Sequence, residues 1–346
     1  MIKYVTQNDF AIYEEYVKNH PKGHFLQSLY WARFKSKLKS YPLLSLDDDG
    51  NVRGAMLILV HKEPVFGASV LYSPRGPVSS DFDAIKELVS EASKVAKENN
   101  AYMLTLDPDI CEDDELFKAL INCGFKKGGV SDELGLLQPF SVFRIDIENK
   151  TDEELLSMFH SKARYSVRAS LKSGATCRVG SREDIPAFQE LLVKTAARDG
   201  FTPRSLAYFN EMFDALPDEH CKLIIVEYDG VIIAGSVLII YGDKAWHLYG
   251  ASDDEYRDKL PNFLMQWEMI RLSIASGCRI YDMRGVAGEK DKTKPLEGLM
   301  RFKKRFGGEL VTFVGRLDIT YNPLMRKTLN AARGARRTLR KILWRS

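Results

Sequence analysis

Charged side chains, and not a nucleophile with a partner base, are the groups in this sequence that could do chemistry. The sequence has no GxSxG, HExxH or CxxC motif, and its six histidines are dispersed. His20 and His24 are separated by a proline and a glycine, which spoils a helical metal-binding pair. Charged residues are prominent instead in short patterns such as LTLDPD (Leu104–Asp109) and LEGLMRFKKRFGGE (Leu296–Glu309). This inventory favours catalysis by positioning and electrostatics, with neither a metal ion nor a cofactor.

A strand–Asp-Gly–strand block occurs twice in the chain, 180 residues apart. The first copy is Leu43–Val60 and the second is Leu223–Ile240, with Asp49-Gly50 aligned with Asp229-Gly230. Each copy continues into a predicted strand, a helix and a further strand. Repetition on this scale indicates a tandem duplication. We therefore expect an α/β (α+β) fold of two similar domains, with the active site in a cleft between them.

The order strand–strand–helix–strand resembles the acetyltransferase fold of the GNAT class. GNAT enzymes hold the pyrophosphate of coenzyme A with a glycine-rich turn before a helix. The corresponding segments here, Ser79–Asp83 and Arg257–Asn262, contain no glycine, and Pro261 lacks an N–H donor. The sequence therefore predicts two tandem GNAT-like acyltransferase domains whose acyl donor is not coenzyme A.

The domain boundaries follow from length and from one helix start. A chain of 346 residues suits two domains of about 150 residues each. Thr151 and Glu154 form a predicted capping box that opens a helix of the second domain. We predict that residues 1–146 and 320–346 form the first GNAT-like domain and that residues 147–319 form the second.

The end of the sequence is strongly basic. After Asp318 there is no acidic residue, and the basic residues are Arg326, Lys327, Arg333, Arg336, Arg337, Arg340, Lys341 and Arg345. Apolar residues alternate with them, which predicts a helix with one apolar face. Such a helix could contact tRNA phosphates or an anionic membrane surface. The alternative is a helix docked on the body of the protein with solvated arginines.

Composition narrows the class of protein. A hydrophobic content of 45% and a charged content of 28% are ordinary for a globular protein. No apolar run approaches the roughly 18 residues of a membrane span, and the N-terminus lacks a signal-like apolar segment. The five cysteines are scattered, which is typical of reduced thiols. We expect a monomeric cytoplasmic protein that acts, at most, at the inner face of the membrane.

Seven local patterns are richer than the fold requires. They are FLQSLYWARFK (Phe25–Lys35), YSPRGPV (Tyr72–Val78), LTLDPD (Leu104–Asp109), KARYSVRASLKSGA (Lys162–Ala175), YDMRGVAG (Tyr281–Gly288), LEGLMRFKKRFGGE (Leu296–Glu309) and VGRLDITYNPL (Val314–Leu324). In this order and spacing they resemble the FemABX family of aminoacyltransferases, which build peptidoglycan cross-bridges from aminoacyl-tRNA. The resemblance implies transfer of an aminoacyl group from the tRNA 3′ ester to the side-chain amine of the stem peptide's third residue. The acceptor would be UDP-MurNAc-pentapeptide or its lipid-linked form.

The resemblance also implies a set of acceptor-binding residues. Lys35 and Arg204 match the family's cations that hold the acceptor diphosphate, a role suited to a point charge with a bidentate fork. The other matching positions are Thr202, Tyr102, Tyr208 and Tyr249. The alternatives are a solvated helix-face lysine, an arginine at a helix start and tyrosines that are half-buried in the core.

Two further residues are implied as catalytic and three as tRNA contacts. Asp107 ends a predicted strand before Pro108 and would position or deprotonate the attacking amine, although an aspartate there is also a common turn former. Lys303 would stabilise the oxyanion or hold the 3′-adenosine end. The proposed tRNA contacts are Phe302, Lys304 and Arg305. The alternative for this segment is an amphipathic surface helix.

Other functions stay open at the level of sequence. An aminoacyl-tRNA-dependent ligase that acts on a small metabolite or a lipid would have the same chemistry with another acceptor. A non-catalytic duplicated protein that binds cell-wall precursors or RNA is a third possibility, and a coenzyme A acyltransferase is a fourth. The segment between Thr202 and Leu223 is too short for the coiled-coil arm of some family members, so we predict the compact form.

Overall fold

The computed structural model describes residues 1–64, 66–128, 137–286 and 294–343, without the side chains of 294–297 and 335–343. The strands are β1 (Ile2–Tyr4), β2 (Lys39–Leu46), β3 (Val52–Lys62), β4 (Ser69–Ser73), β5 (Val78–Ser79), β6 (Ala101–Leu106), β7 (Lys126–Lys127), β8 (Ser141–Asp146), β9 (Thr176–Val179), β10 (Cys221–Tyr228), β11 (Val231–Tyr241), β12 (Lys244–Ser252), β13 (Ile280–Gly285), β14 (Glu309–Thr312) and β15 (Leu317–Thr320). The helices are α1 (Phe10–Asn19), α2 (Leu29–Phe34), α3 (Phe82–Glu98), α4 (Glu115–Asn122), α5 (Asp152–Met158), α6 (Ser161–Ser170), α7 (Ile185–Asp199), α8 (Leu206–Ala215), α9 (Pro261–Ala275), α10 (Lys294–Lys304) and α11 (Pro323–Leu343).

The first compact unit comprises Met1–Gln138 with Phe313–Ser346. Its sheet has the order β1-β2-β3-β4-β6-β15-β7, and β5 pairs with β3. The pairing of β4 with β6 is parallel, and α3 makes the crossover between them. Asp81 caps α3 by accepting hydrogen bonds from two backbone N–H groups, and the apolar face of the helix buries Leu88 and Ala92 against the sheet.

The second compact unit is the continuous segment Pro139–Thr312. Its sheet has the order β14-β8-β13-β12-β11-β10-β9, with β12 and β13 parallel. Helix α9 makes the crossover between these two strands and packs Leu264 and Ile270 into the core, where Trp267 and Phe306 also lie. The predicted capping box is present, because Thr151 Oγ1 accepts from the backbone N–H of Glu154 and the Glu154 carboxylate accepts in return.

The two units repeat the same order of elements, and the predicted α/β fold of two GNAT-like domains is confirmed. The hairpins β2–β3 and β10–β11 both turn at Asp-Gly, where Gly50 has φ 87° and Gly230 has φ 75°. A third strand and a helix then lead to a parallel strand in each unit. Glycine tolerates these positive φ values without the Cβ clash that other residues suffer, which explains the Asp-Gly signal.

The unit boundaries differ from the predicted ones by a few residues. The structure divides the chain after Gln138 and after Thr312, whereas the sequence placed the divisions after residues 146 and 319. Strand β8 pairs with β13 and β14 of the second sheet, and β15 pairs with β6 and β7 of the first. Membership of a sheet depends on these distant partners, which the local sequence pattern does not reveal.

The described part of α11 docks on the first unit. Leu329 is buried and Met325 packs beside it, on a small cluster that includes Val70 and Met103. The Arg326 guanidinium donates to the Asp318 carboxylate. The start of the basic tail is therefore a docked helix with an ion-paired arginine. No helix of the described residues is long and apolar enough to cross a membrane.

Candidate active-site residues

Lys303 is buried at the end of β13 in the second unit. The residue is 4% exposed, although it lies in the last turn of α10 between exposed Lys304 and half-buried Phe302. The ammonium Nζ donates to the carbonyl oxygens of Met283 at 2.6 Å, Gly285 at 2.7 Å and Arg284 at 3.2 Å. All three of its hydrogens therefore have backbone acceptors. In this structure Lys303 fastens α10 to the last residues of β13.

The end of β13 has an irregular backbone that directs these carbonyl groups toward Lys303. Arg284 has φ 63°, and the pairing with β8 shifts register between Asp282 and Gly285. The Asp282 carboxylate stabilises this bend by accepting from the Arg284 backbone N–H at 2.6 Å and from Arg144 Nε at 2.9 Å. Burial is the main reason that the pKa of Lys303 is lowered to about 7. The Asp282 carboxylate raises this pKa, and the Arg284 charge lowers it. The amine is thus partly neutral at physiological pH.

His247 on β12 is a candidate site residue that the sequence analysis missed. Parallel pairing of β12 with β13 extends from Lys244 to Trp246, and His247 comes directly after it. Burial, together with the charges of Lys303 and Arg284, lowers the pKa of the imidazole to about 3. Its Nε2 is buried and has no hydrogen-bond partner among the described residues. A neutral imidazole therefore presents one unused polar atom, and the ring is near enough to Lys303 to be affected by its charge.

A chain of hydrogen bonds to His247 Nδ1 determines which nitrogen of the imidazole carries the proton. Tyr281 donates through its hydroxyl to Gln266 Oε1 at 2.8 Å, and Gln266 Nε2 lies 3.2 Å from His247 Nδ1. With the carboxamide in this orientation its NH₂ donates to Nδ1, so the single proton of the neutral ring is on Nε2. A Cβ at Gly250 would lie 2.8 Å from Nε2, so glycine is needed there. The unused atom is a hydrogen-bond donor.

Two of the predicted acceptor tyrosines lie together in the second unit. The hydroxyl groups of Tyr208 and Tyr249 are 2.7 Å apart, and the Arg204 guanidinium lies 4.9 Å from the centre of the Tyr208 ring. Tyr249 has φ 54° at a one-residue bulge of β12 against β11, which turns its side chain toward α8. Burial raises the pKa of Tyr208, and the neighbouring Tyr249 raises it further. Thr202 is exposed in the segment before α8.

Asp107 in the first unit is buried, and its carboxylate accepts three hydrogen bonds. Its carboxylate accepts from the Tyr72 hydroxyl at 2.7 Å, from the Arg75 backbone N–H at 2.9 Å and from the Gln138 backbone N–H at 2.7 Å. Burial raises its pKa, although the Arg75 charge and these hydrogen bonds oppose the shift. In this structure Asp107 therefore anchors the turn after β4.

Lys35 lies half-buried at the end of α2 in the same unit. Its ammonium sits 4.0 Å from the ring centre of Phe34 and 4.9 Å from that of Trp31. The pKa of His61 is lowered to about 4 by burial and by the Lys35 charge, and His61 Nε2 has no hydrogen-bond partner in the described part of the chain. Lys35 is thus a cation held on aromatic faces near a neutral histidine, and not a solvated helix-face lysine.

Tyr102 occupies a different place from the groove-lining position that the resemblance implied. It is 1% exposed, and its hydroxyl donates to Glu63 Oε1 at 3.0 Å and accepts from Arg333 Nη2 at 2.9 Å. Glu63 and Arg333 also form an ion pair. Tyr102 therefore helps to fix α11 to the sheet of the first unit.

Replacing Tyr102 by phenylalanine should lower the free energy of unfolding by about 1 to 2 kcal/mol, because a hydrogen bond to a charged pair is lost. Turnover of the folded protein should not change. Tyr321→Phe is the matched control, since within the described part of the chain the Tyr321 hydroxyl makes only a 3.4 Å hydrogen bond, accepted from Ser93. Urea denaturation of both variants measures the difference. A raised KM at unchanged stability would instead place the Tyr102 hydroxyl on a substrate.

The predicted tRNA contacts have different environments. Phe302 is half-buried, and its ring lies 5.2 Å from both Phe263 and Phe306, so the structure places it in the core and not on an open stacking surface. Lys304 is exposed and Arg305 is half-buried.

Among the described residues, no group of three or more histidine, cysteine, aspartate or glutamate side chains could hold a metal ion.

Structures with the same fold include two at low sequence identity. A tandem GNAT protein from the clavulanic acid biosynthesis pathway superposes with a TM-score of 0.56 at 11% identity, covering 93% of this chain and 99% of that one. L-PGS from Bacillus licheniformis superposes with a TM-score of 0.55 at 13% identity, covering 94% and 95%. These similarities concern the fold alone.

Closer relatives share sequence along nearly the whole chain. The crystal structure of FemX superposes with a TM-score of 0.86 at 28% identity, covering 94% of this chain and 99% of that one. Lipid II:glycine glycyltransferases from Staphylococcus haemolyticus (strain JCSC1435) and Staphylococcus aureus (strain USA300) are each 30% identical, over 90% of this chain and 91% of theirs. The model of the FemAB family matches residues 9–230 and 219–333. The chain therefore belongs to the FemAB family.

Proposed function

We propose that this protein is an aminoacyltransferase of peptidoglycan cross-bridge synthesis. It moves an aminoacyl group from aminoacyl-tRNA to the side-chain amine of the stem peptide's third residue, on UDP-MurNAc-pentapeptide or lipid II. The relatives named lipid II:glycine glycyltransferase support this acceptor class. The observation that carries the proposal is the cationic and N–H-donating site formed by Lys303 and His247 at the end of β13.

The reaction is aminolysis of an ester. The amine nitrogen bonds to the ester carbonyl carbon, the carbonyl oxygen becomes an oxyanion, and the bond to the ribose oxygen then breaks as that oxygen takes up the amine proton. A donor aimed at the oxyanion in a water-poor site stabilises this intermediate strongly. The Nε2–H of His247 supplies the donor, and Lys303 supplies positive charge and holds the end of β13 in place.

The acceptor residues other than Tyr102 keep their proposed roles within each unit. In the second unit Arg204 holds the acceptor diphosphate as a bidentate fork, and Thr202, Tyr208 and Tyr249 line the adjoining peptide site. In the first unit Lys35 supplies a point charge to the same class of ligand. Lys304 and Arg305 contact the donor RNA.

Arg204→Lys should raise KM for a diphosphate-bearing acceptor about 10-fold at nearly unchanged kcat, because a lysine cannot make the bidentate contact. The control acceptor is the same peptide without the diphosphate, for which variant and wild type should agree. Steady-state kinetics with both acceptors measures the difference. An equal loss with both acceptors would place Arg204 elsewhere than on the diphosphate.

Reconstitution tests the function itself. Purified protein is incubated with charged tRNA and either UDP-MurNAc-pentapeptide or lipid II, each with lysine or diaminopimelate at the third position, and the product is identified by mass spectrometry. Uncharged tRNA and acetyl-coenzyme A are the control donors. Absence of product with every charged tRNA and every acceptor would reject the proposal, and product with acetyl-coenzyme A would favour an ordinary acyltransferase.

A further inference from the structure

Six cationic side chains on two helical segments of the second unit form what we call the cationic face. Its members are Lys162, Arg168 and Lys172 in and after α6, and Arg301, Lys304 and Arg305 in and after α10. Five are exposed and Arg305 is half-buried. Among the described side chains, no carboxylate lies within salt-bridge distance of any of the six.

Other arginines of the same unit are paired with carboxylates. The pairs include Arg178–Asp184, Arg182–Asp214, Arg198–Asp254, Arg271–Asp152 and Arg279–Glu148. The six cations of the cationic face, by contrast, have no carboxylate partner among the described side chains. Such a surface creates a positive potential that is relieved when a polyanion binds and releases its counterions.

The two helical segments meet where α6 begins and α10 ends. The backbone N–H of His160, which caps α6, donates to the Arg305 carbonyl at 2.8 Å. The rings of Phe159 and Phe306 lie 5.1 Å apart beneath this junction. The first turn of α6 therefore lies against the end of α10, which brings Lys162 at the start of α6 near Lys304 and Arg305.

An exposed aromatic ring lies among these cations. Tyr165 is 73% exposed and shares one helical stripe with Arg168 and Lys172, while Ala163 and Val167 bury the opposite side of α6. Aromatic rings interleaved with cations suit a nucleic acid, because bases stack on the ring while phosphates bind the cations. Tyr165 and Leu171, the exposed apolar side chains of the α6 segment, do not provide the apolar area that insertion into a membrane surface needs.

We propose that the cationic face, with Tyr165, binds the phosphate backbone of the donor RNA next to its 3′ end. This inference rests on the proposed function, because the reacting ester is covalently part of a polyanion. Helix α10 carries both Lys303, which points into the site, and Lys304, which lies on the cationic face. RNA that places its ester at the end of β13 therefore brings its nearest phosphates to this surface.

The test uses the full-length triple variant Arg168→Gln/Lys172→Gln/Lys304→Gln. Fluorescence anisotropy with tRNA across a salt series should show binding weakened at least about 10-fold at low salt, with the slope of log K against log salt reduced by about 2. Tyr165→Ala should weaken binding about 10-fold with an unchanged slope. In turnover, KM for aminoacyl-tRNA should rise while KM for the acceptor stays constant.

A matched control changes the same charge elsewhere. Lys86→Gln/Lys94→Gln/Lys118→Gln removes three exposed lysines of the first unit that each pair with a carboxylate three residues away. This control should bind tRNA like the wild type. Wild-type affinity and salt slope in the α6/α10 variant, or loss of binding to phosphatidylglycerol vesicles in place of tRNA, would overturn the proposal. A wild-type protein that neither binds tRNA nor uses it would instead reject the proposed function.

Discussion

Lys303→Met is expected to lower kcat at least about 100-fold and to reduce the free energy of unfolding by about 3 kcal/mol. The first effect follows from loss of positive charge beside the oxyanion. The second follows because the carbonyls of Met283, Arg284 and Gly285 lose their donor inside the protein. Single-turnover kinetics under saturating substrates and chemical denaturation measure the two effects separately.

The pH dependence of this variant provides a control that does not depend on its absolute activity. The pKa of Lys303 falls from 10.5 in the unfolded chain to about 7 in the folded protein. Between these values the unfolded chain binds a proton that the folded protein does not, so the wild type should gain stability relative to Lys303→Met as pH rises. The ratio of wild-type to variant kcat should fall as pH rises through about 7. A ratio that stays constant would show that the charge of Lys303 is not used.

His247→Asn is expected to lower kcat by about 100- to 1,000-fold, whereas His247→Gln should lose no more than about 10-fold. The amide of glutamine reaches the position of Nε2 and can donate there, while asparagine reaches only the position of Nδ1. Both replacements are uncharged, as the imidazole is with its pKa of about 3. Steady-state kinetics of the pair therefore isolates the hydrogen-bond donor at Nε2.

The same pair of variants also distinguishes donor from base. If His247 acted as a general base, glutamine could not replace it and both variants would be equally inactive. Wild-type activity in both variants would instead show that His247 takes no part in the reaction. Retained activity in His247→Gln with an unchanged pH profile supports the assignment of a neutral donor.

Features that depend on neighbouring residues were predictable from the sequence. The Asp-Gly turns at Gly50 and Gly230 require positive φ, and this local demand revealed both hairpins and with them the duplication. The Thr151–Glu154 capping box is likewise a contact over three residues, and it is present as predicted. Asp107 was correctly placed at the end of a strand because Pro108 follows it directly.

Features that depend on distant partners were not predictable in the same way. Strands β8 and β15 join sheets whose other members lie far away in the sequence. Tyr102 is hydrogen-bonded to Arg333 on α11. The protonation of His247 depends on Gln266 on α9 and on the charge of Lys303 on α10. None of these contacts has a characteristic spacing in the sequence. Gly250, three residues after His247 in the same strand, is a local signal of the site, because a side chain there would meet His247 Nε2.

The insertion of β15 between β6 and β7 has a consequence for how the polypeptide matures on the ribosome. The first unit cannot complete its sheet until the segment Leu317–Thr320 has been synthesised, because β6 and β7 both pair with this strand. The continuous unit Pro139–Thr312 needs nothing that comes later. We therefore expect the second unit to complete its sheet before the first unit does during translation. A nascent chain stalled before residue 317 would expose unpaired strand edges that favour misassociation.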